Sequence, residues 1–462
     1  MALKADKKEV FENMPVKKAV LLQIMPAVAS QMIMILYNLA DTYFVGMLNV
    51  PAETAALTVC NPWFIMLTAM SNLFGIGGAS AAARSIGSKQ DLSARQITSV
   101  SFWCGVAVAV AYSLIVLCCK DFMLSLSGVD QSTMASSSAY ITETVIIGGP
   151  FSIISLLLAN LIRAEGRAAE ASLGLSLGGI INILLDPFFV LPRFLGLGTS
   201  GAGIATALSN FISMLYFLAI TRKNRASSII TFTLPTKDVV RRWIGEILSI
   251  GFPSAIQFAL TVAAIAAQTK FVSHYVTQAV AGLGIAKKLD ILPIFFTTGV
   301  SGGLLPILAY NHASGNVERR KAALRFGVLI CFSFSVICLV VFEIFAHKLS
   351  AIFITDKTTI DYAASFLRRM VVAMPMMALC YPLITQFQAM GAAFPALVCS
   401  VIRKGVLDIP LLYIMDSIIP LYGCMWVQPI IDIIALITAF CFNINLTKNN
   451  KNPTQNRQNK IT

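Results

Sequence analysis

The sequence predicts an all-α integral membrane protein with twelve transmembrane helices in two pseudo-symmetric six-helix bundles. Three observations carry this. Hydrophobic residues make up 57% of the 462-residue chain and charged residues only 12%, whereas a soluble domain carries about 25% charged. The apolar residues come in blocks long enough to cross a hydrocarbon core, which takes about 20 residues per helix. The two halves of the chain also repeat each other's Pro and Gly landmarks.

The spans read as 19–48, 55–83, 97–119, 138–162, 171–192, 201–220, 245–271, 281–308, 324–346, 362–390, 395–415 and 421–446. The first is too long for a removable signal peptide and lacks a small-residue cleavage site, so it is a retained helix. The net charge of +13 is distributed by side. Loops on the N-terminal side collect Lys17, Lys18, Arg84, Lys89, Arg163, Arg167, Arg222, Lys223, Arg241, Arg242, Arg319 and Arg320 among others; the opposite loops carry only Lys120, Arg193, Lys348 and Lys357. Basic loops stay cytoplasmic, so both termini are expected in the cytosol of a multi-pass cell-membrane protein of bacterial type. The charge is a topology signal, and no nucleic-acid partner is expected. The ten cysteines form no C-x-x-C, and the three histidines are far apart. No metal site or cofactor is therefore expected.

The polar run 221–244 divides the chain. Residues 1–18 form a cytoplasmic segment, 19–220 a first lobe, 245–446 a second lobe, and the Asn/Lys/Gln-rich tail 447–462 reads as disordered. Pro150 and Gly166 recur as Pro375 and Gly391, Asn182 as Asp408, and Gly201 as Gly423. Equal halves that both start inside make a parallel repeat about the membrane normal. Transporters of this kind bind substrate between the repeats and rock one against the other.

An intramembrane carboxylate costs about 2.5–3.5 kcal/mol on insertion scales, so each one calls for a reason. Asp41 lies eight residues before Asn49 at the outer end of its helix, and Asp186 seven before Arg193. That puts both roughly 10–12 Å below the outer surface. Each has an amide on its own helical face, Asn38 and Asn182 respectively, and Gln31 continues the first polar stripe. Paired acids with amide neighbours suit binding of H⁺ or Na⁺, and a single structural hydrogen bond is the plainer alternative. Pro26 and Pro187 supply hinges by freeing backbone carbonyls. In the second half, Lys287, Lys288, Asp290, Arg403, Lys404 and Asp408 are polar elements. Lys404 and Asp408 stand four apart and so can neutralise each other; snorkelling or ion pairing explains the group as well as function does.

At these residues a family resemblance emerges. Ser30-Gln31-Met32 with Tyr37-Asn38-Leu39-Ala40-Asp41-Thr42-Tyr43-Phe44-Val45-Gly46 is similar to the first-helix signature of MATE (multidrug and toxic compound extrusion) transporters. Asn160 with Arg163-Ala164-Glu165-Gly166-Arg167 resembles the fourth-helix motif, the run from Gly179 through Asn182 to Asp186-Pro187 the fifth, and the run from Gly201 to Thr206 the sixth. The resemblance covers the whole chain and is denser in the first half. It implies a V-shaped two-lobe architecture and export of amphipathic organic cations in exchange for H⁺ or Na⁺. It also implies a first-lobe cation site at Asp41, Asn182 and Asp186, with Asn38, Thr206 and Asn160 as further candidates. One branch of the family carries a Glu in helix seven and an Asp in helix ten. Here Thr261 stands at the first position and no acid occurs in 370–390, so the chain resembles the DinF-like branch, which couples through the first lobe. Asn160, only three residues before Arg163, reaches Asp186 only if helix four bends.

Candidate substrate contacts are Gln31, Met34, Tyr37, Met66, Gln257, Lys288, Arg403 and Met377. Soft methionine and aromatic walls suit flat lipophilic cations, although each such residue taken alone is more often packing. The expected function is a monomeric secondary antiporter, surrounded by membrane lipid, for cationic small molecules. The alternative is a flippase for a lipid-linked precursor. The dinucleotide-like Gly196-x-Gly198-x-x-Gly201 follows a membrane helix rather than a strand and reads as a turn. No enzyme constellation presents itself.

Overall fold

The computed structural model describes residues 9–48, 50–127, 129 and 131–449; the expectations for residues 1–8 and for most of the tail, from 450 on, lie outside them. After a π-helical turn, Glu9–Asn13, the elements are α1 (Val16–Gly46), α2 (Pro51–Gly87), α3 (Asp91–Leu126), α4 (Met134–Ile141), α5 (Gly149–Ala164), α6 (Ala168–Val190) and α7 (Gly198–Lys223). The second half contributes α8 (Lys237–Ser273), α9 (Thr277–Ala313), α10 (Val317–Ala351), α11 (Lys357–Val371), α12 (Met374–Ala389), α13 (Ala393–Arg403), α14 (Asp408–Ile418) and α15 (Gly423–Asn449). Among the described residues, nine helices are long and apolar enough to span a membrane. The bent pairs α4/α5 and α11/α12 bring the number to eleven. The short helices α13 and α14 occupy the place of the eleventh expected span, and α15 that of the twelfth.

The breaks have local causes. α4 runs through a π turn, Thr142–Ile147, and the span bends by 44° ahead of Pro150; its counterpart bends by 46° ahead of Pro375. A proline disfavours α-conformation in the residue before it and cannot donate to the turn behind it. Both bent spans end on a left-handed glycine, Gly166 at φ 82° and Gly391 at φ 72°, a conformation that costs other residues more. The fifth and eleventh spans differ: α6 is continuous, whereas the eleventh breaks at Lys404–Leu407, with Gly405 at φ 137°. Lys404 and Asp408 consequently do not share a helical face. This corrects the expected i,i+4 pair.

Packing reproduces the repeat. α1 packs on α6, α2 on α3 and α5, and α5 on α7; likewise α8 packs on α13, α9 on α10 and α12, and α12 on α15. The halves meet through α2 on α8 and α1 on α9, a pair of contacts exchanged by the same pseudo-twofold axis. Glycines make this seam close. A Cβ at Gly251 would stand 1.7 Å from the Leu73 carbonyl oxygen, one at Gly77 2.1 Å from that of Ile247, and one at Gly303 2.7 Å from that of Gln23.

The seam is sealed at the end that carries the N-terminus. Arg84 (α2) pairs with Glu246 (α8) at 2.7 Å and also donates to the carbonyls of Gln388 and Ala389. Phe11, fully buried, stacks on Tyr310 with centroids 4.9 Å apart; Tyr310 Oη donates to Glu12 at 2.6 Å, and Arg319 donates to the carbonyls of Val10 and Phe11. Toward the other end the seam parts. Gly299 on α9 packs on Val28, and Ala281, Gly284 and Lys288 lie within about 60° of it around the helix. Those three are exposed. The helix face that touches α1 below is therefore uncovered above.

Candidate functional site

The first half builds a buried polar chamber where α1, α4, α6 and α7 meet. Asp41 is five residues from the end of α1 at Gly46, and Asp186 four from the end of α6 at Val190. At 1.5 Å per residue both lie about 6–8 Å inside their helix ends. The depths match, and both are shallower than expected because the helices stop earlier than the apolar runs. Asp41 is 7% exposed and Asp186 is fully buried. Their helices, α1 and α6, pack against each other.

Asn182 Nδ2 donates to Asp186 Oδ1 at 3.4 Å and to Thr206 Oγ1 at 3.2 Å, while Tyr140 Oη donates to Asp41 Oδ2 at 3.2 Å. Each of the two acids and Asn182 keeps one buried oxygen without a partner among the described residues: Asp41 Oδ1, Asp186 Oδ2 and Asn182 Oδ1. All are acceptors. Buried acceptors of this kind carry a desolvation cost of about 1–3 kcal/mol each until they are filled, and a proton or a hard cation held by oxygens fills them.

The structure separates some of the expected members. Asn38 does not reach Asp41; its Nδ2 bonds back to the Met34 carbonyl of its own helix at 2.8 Å. Asn160 remains with Arg163 (3.1 Å) and beside Gly75 of α2. The fourth span does bend, but the bend precedes Pro150 and leaves Asn160 on the far arm. Tyr37 packs against Gly179 of α6, beside the chamber. Gln31 Nε2 crosses the seam to Thr298 Oγ1 at 3.4 Å. Met34 and Met66 are half-buried, Gln257 and Met377 are buried, and Lys288 is exposed. Pro26 and Pro187 lie inside uninterrupted helices.

A second polar cluster lies within the other half. Arg403 Nε donates to Asp432 Oδ1 at 3.0 Å, and its guanidinium lies 3.9 Å over the Tyr381 ring. Lys404 Nζ donates to Gln428 Oε1 at 2.5 Å, and Asp408 Oδ2 accepts the Gly405 N–H at 2.7 Å. Sequence reading missed Tyr140 and Asp432. Asp432 was detectable, since an acid nine residues into a span calls for the same explanation as Asp41. Tyr140 carried no such signal, because its position opposite Asp41 depends on how α4 docks.

The MatE family model matches twice, over residues 26–188 and 253–414. The chain belongs to the MatE family. Each match opens on one of the helix prolines, Pro26 and Pro253. Members of this family are transporters rather than enzymes, and the chain is a multi-pass membrane transporter.

The chain is 26% identical to the multidrug export protein MepA of Staphylococcus aureus (strain MRSA252) over 429 residues, which is 93% of this chain and 94% of that protein. It is 26% identical to MepA of Staphylococcus saprophyticus subsp. saprophyticus over 433 residues, again 93% and 94%. Among solved structures, a multidrug resistance MATE family transporter of the MOP superfamily in an outward-facing conformation superposes with TM-score 0.88 at 22% identity, covering 97% of this chain and 99% of that one. A MOP superfamily transporter from Pyrococcus furiosus Vc1, described as having a binding pocket of reverse polarity, gives TM-score 0.88 at 22% identity, covering 98% and 100%. These likenesses establish the MATE fold of twelve helices in two six-helix bundles.

Proposed function

We propose that this MatE transporter is a secondary antiporter that exports amphipathic organic cations in exchange for H⁺ or Na⁺. The coupling ion binds at Asp41 and Asp186, with Asn182, Thr206 and Tyr140 beside them. The observation that carries this reading is the set of three unfilled acceptor oxygens in one buried chamber. Two carboxylates in a poorly solvated site repel each other when both are ionised, so one bound cation relieves both desolvation and repulsion. The name of the MepA relatives, multidrug export protein, supports export of drug-like small molecules.

In this reading the chain divides into lobes 19–220 and 245–446 joined by 221–244, with both termini cytoplasmic. The sealed end of the seam is then the cytoplasmic gate, and a cleft at Ala281, Gly284 and Lys288 opens outward. Ion entry from outside fills the chamber and changes the charge on α1. That helix spans from the chamber at Asp41 to the gate at Gln23, whose Nε2 donates to the Gly166 carbonyl at 2.6 Å. Pro26 lies three residues beyond Gln23, close to the gate, and there α1 can flex without losing a donor it never had. An ion-dependent tilt of α1 then loosens the gate, and alternating access follows. Vesicles that contain the purified protein, loaded with a fluorescent lipophilic cation and given a proton or a Na⁺ gradient, test this. Gradient-driven dye movement is expected. Movement of labelled lipid without dye movement would favour the flippase instead.

A further inference from the structure

α10 starts at the sealed end, where Arg319 meets Val10 and Phe11, and its far end carries a charged cavity that neither the chamber nor the seam uses. The cavity measures about 460 Å³ and is lined by Glu343 and His347 of α10, Asp361, Arg368 and Arg369 of α11, and Trp426 of α15. His347 Nε2 stands 2.9 Å from Asp361 Oδ1; Arg368 Nε stands 3.8 Å from Glu343 Oε2 and donates to the Glu343 carbonyl at 3.2 Å. These four side chains are about half exposed, and ion pairs so exposed contribute little stability. Exchanging one partner for a ligand group therefore costs little. Arg369 is held more firmly. Its guanidinium lies 4.4 Å over the Tyr422 ring, and Nη1 donates to the carbonyl and hydroxyl oxygens of Ser365. Those bonds leave Nε and Nη2 without a protein acceptor among the described residues.

The cavity stands at the level of a membrane surface. The apolar run 326–342 of α10, between Arg325 and Glu343, is roughly 25 Å long at 1.5 Å per residue, against a hydrocarbon core about 30 Å thick. Glu343 thus falls where the hydrocarbon ends, a level at which Trp is enriched. Toward the membrane interior the same face of α10 turns apolar. Val340 and Val336, three and seven residues before Glu343, share its face; Val340 is exposed and Val336 half-buried. A charged cavity above an uncovered apolar stripe has the polarity profile of a lipid, headgroup above and chain below. A soluble ligand would use the cavity alone.

We infer that this cavity is a headgroup site for a zwitterionic phospholipid of the ethanolamine type, with an acyl chain along Val340 and Val336. The phosphate takes the open donors of Arg369, with Arg368 beside it; a planar guanidinium steadied by an aromatic ring suits phosphate oxygens. The ammonium lies against the carboxylates of Glu343 and Asp361. Two arginines and two acids balance, which matches a headgroup of zero net charge better than an anionic one. Val372, in the break between α11 and α12, also lines the cavity. The bound lipid therefore fills the corner of the bent span and ties α10, α11 and α15 together.

Native mass spectrometry of the purified full chain tests this with dioctanoyl phosphatidylethanolamine, dioctanoyl phosphatidylglycerol and O-phosphoethanolamine, the same headgroup without chains. The wild type should hold the ethanolamine lipid about tenfold more tightly than the glycerol lipid, the difference one charge-assisted hydrogen bond makes. Glu343→Gln should abolish that preference, with its lipid-free melting temperature unchanged. Arg369→Gln should weaken both lipids about tenfold, because both carry the phosphate, and Arg369→Lys should recover part of the loss. Equal affinity of the wild type for both lipids, or a preference unmoved in Glu343→Gln, would mark unselective lipid contact and overturn the inference. Tighter binding of the glycerol lipid would overturn it in favour of an anionic headgroup. If O-phosphoethanolamine binds as tightly as the lipid, the site serves a soluble phosphate and the lipid assignment fails. If Glu343→Gln melts lower and binds both lipids equally less, the acid is a structural ion-pair partner and the inference fails as well.

Discussion

The proposed gate closes through backbone-to-backbone contact between α2 and α8, and Gly251→Ala tests that dependence. A Cβ there would lie 1.7 Å from the Leu73 carbonyl oxygen and 2.6 Å from its carbon. Both atoms are backbone, so no side chain can swing aside. Restoring a tolerable contact of about 3 Å needs the helices to part by roughly 1.3 Å in an interior packed like an organic crystal. Overpacking of this kind costs about 1–3 kcal/mol. Acting on the sealed conformer alone, it shifts the sealed-to-open ratio by about 5- to 150-fold. Gly245→Ala is the control on the same helix, since a Cβ at Gly245 meets nothing within 4 Å. Spin labels at Ser88 and Arg242, both exposed near the sealed end, report the gate distance in a cysteine-free background. Gly251→Ala should move population to longer distances and Gly245→Ala should not. An unchanged distribution in Gly251→Ala, or equal shifts in both variants, would refute the role assigned to the seam.

Three further outcomes follow from the same contacts. Arg403→Leu leaves Asp432 buried and unpaired and should cost about 3–5 kcal/mol of stability, whereas Arg403→Leu with Asp432→Leu should recover most of it; thermal unfolding in detergent reads both. Tyr140→Phe removes the hydroxyl bonded to Asp41 and should slow gradient-driven export several-fold while the melting temperature holds, which would separate a role in the chamber from a packing role. Tyr310→Phe removes the 2.6 Å bond to Glu12, and hydrogen exchange across residues 9–15 should accelerate relative to the wild type.

Much of this architecture was readable from composition and periodicity. Span number and the repeat followed from apolar block length and from Pro150/Pro375 and Gly166/Gly391, because those residue types restrict the backbone wherever they fall. Asp41 and Asp186 stood out because charge in hydrocarbon demands a reason, and Asn182 because it stands four residues before Asp186. The pairing of Lys404 with Asp408 was not, since a helical spacing rule holds only while the helix continues, and Gly405 ends it. Asn38 and Asn160 show a second limit. A side chain can share a face with a carboxylate and still bond its own backbone, as Asn38 does, or a neighbour one turn away, as Asn160 does. Tyr140, and Glu143 with its bond to Ser200 at 2.5 Å, depend on how α4 docks against α1 and α7, which one-dimensional spacing does not encode.

The proposed cation exchange runs through Asp41 and Asp186. The most direct measurement is export of a fluorescent lipophilic cation from vesicles containing the wild type, Asp41→Asn or Asp186→Asn, each under a proton gradient and then a Na⁺ gradient. One gradient should drive export by the wild type, and export should collapse in both variants while dye binding and melting temperature persist. Undiminished gradient-driven export in both variants would contradict it.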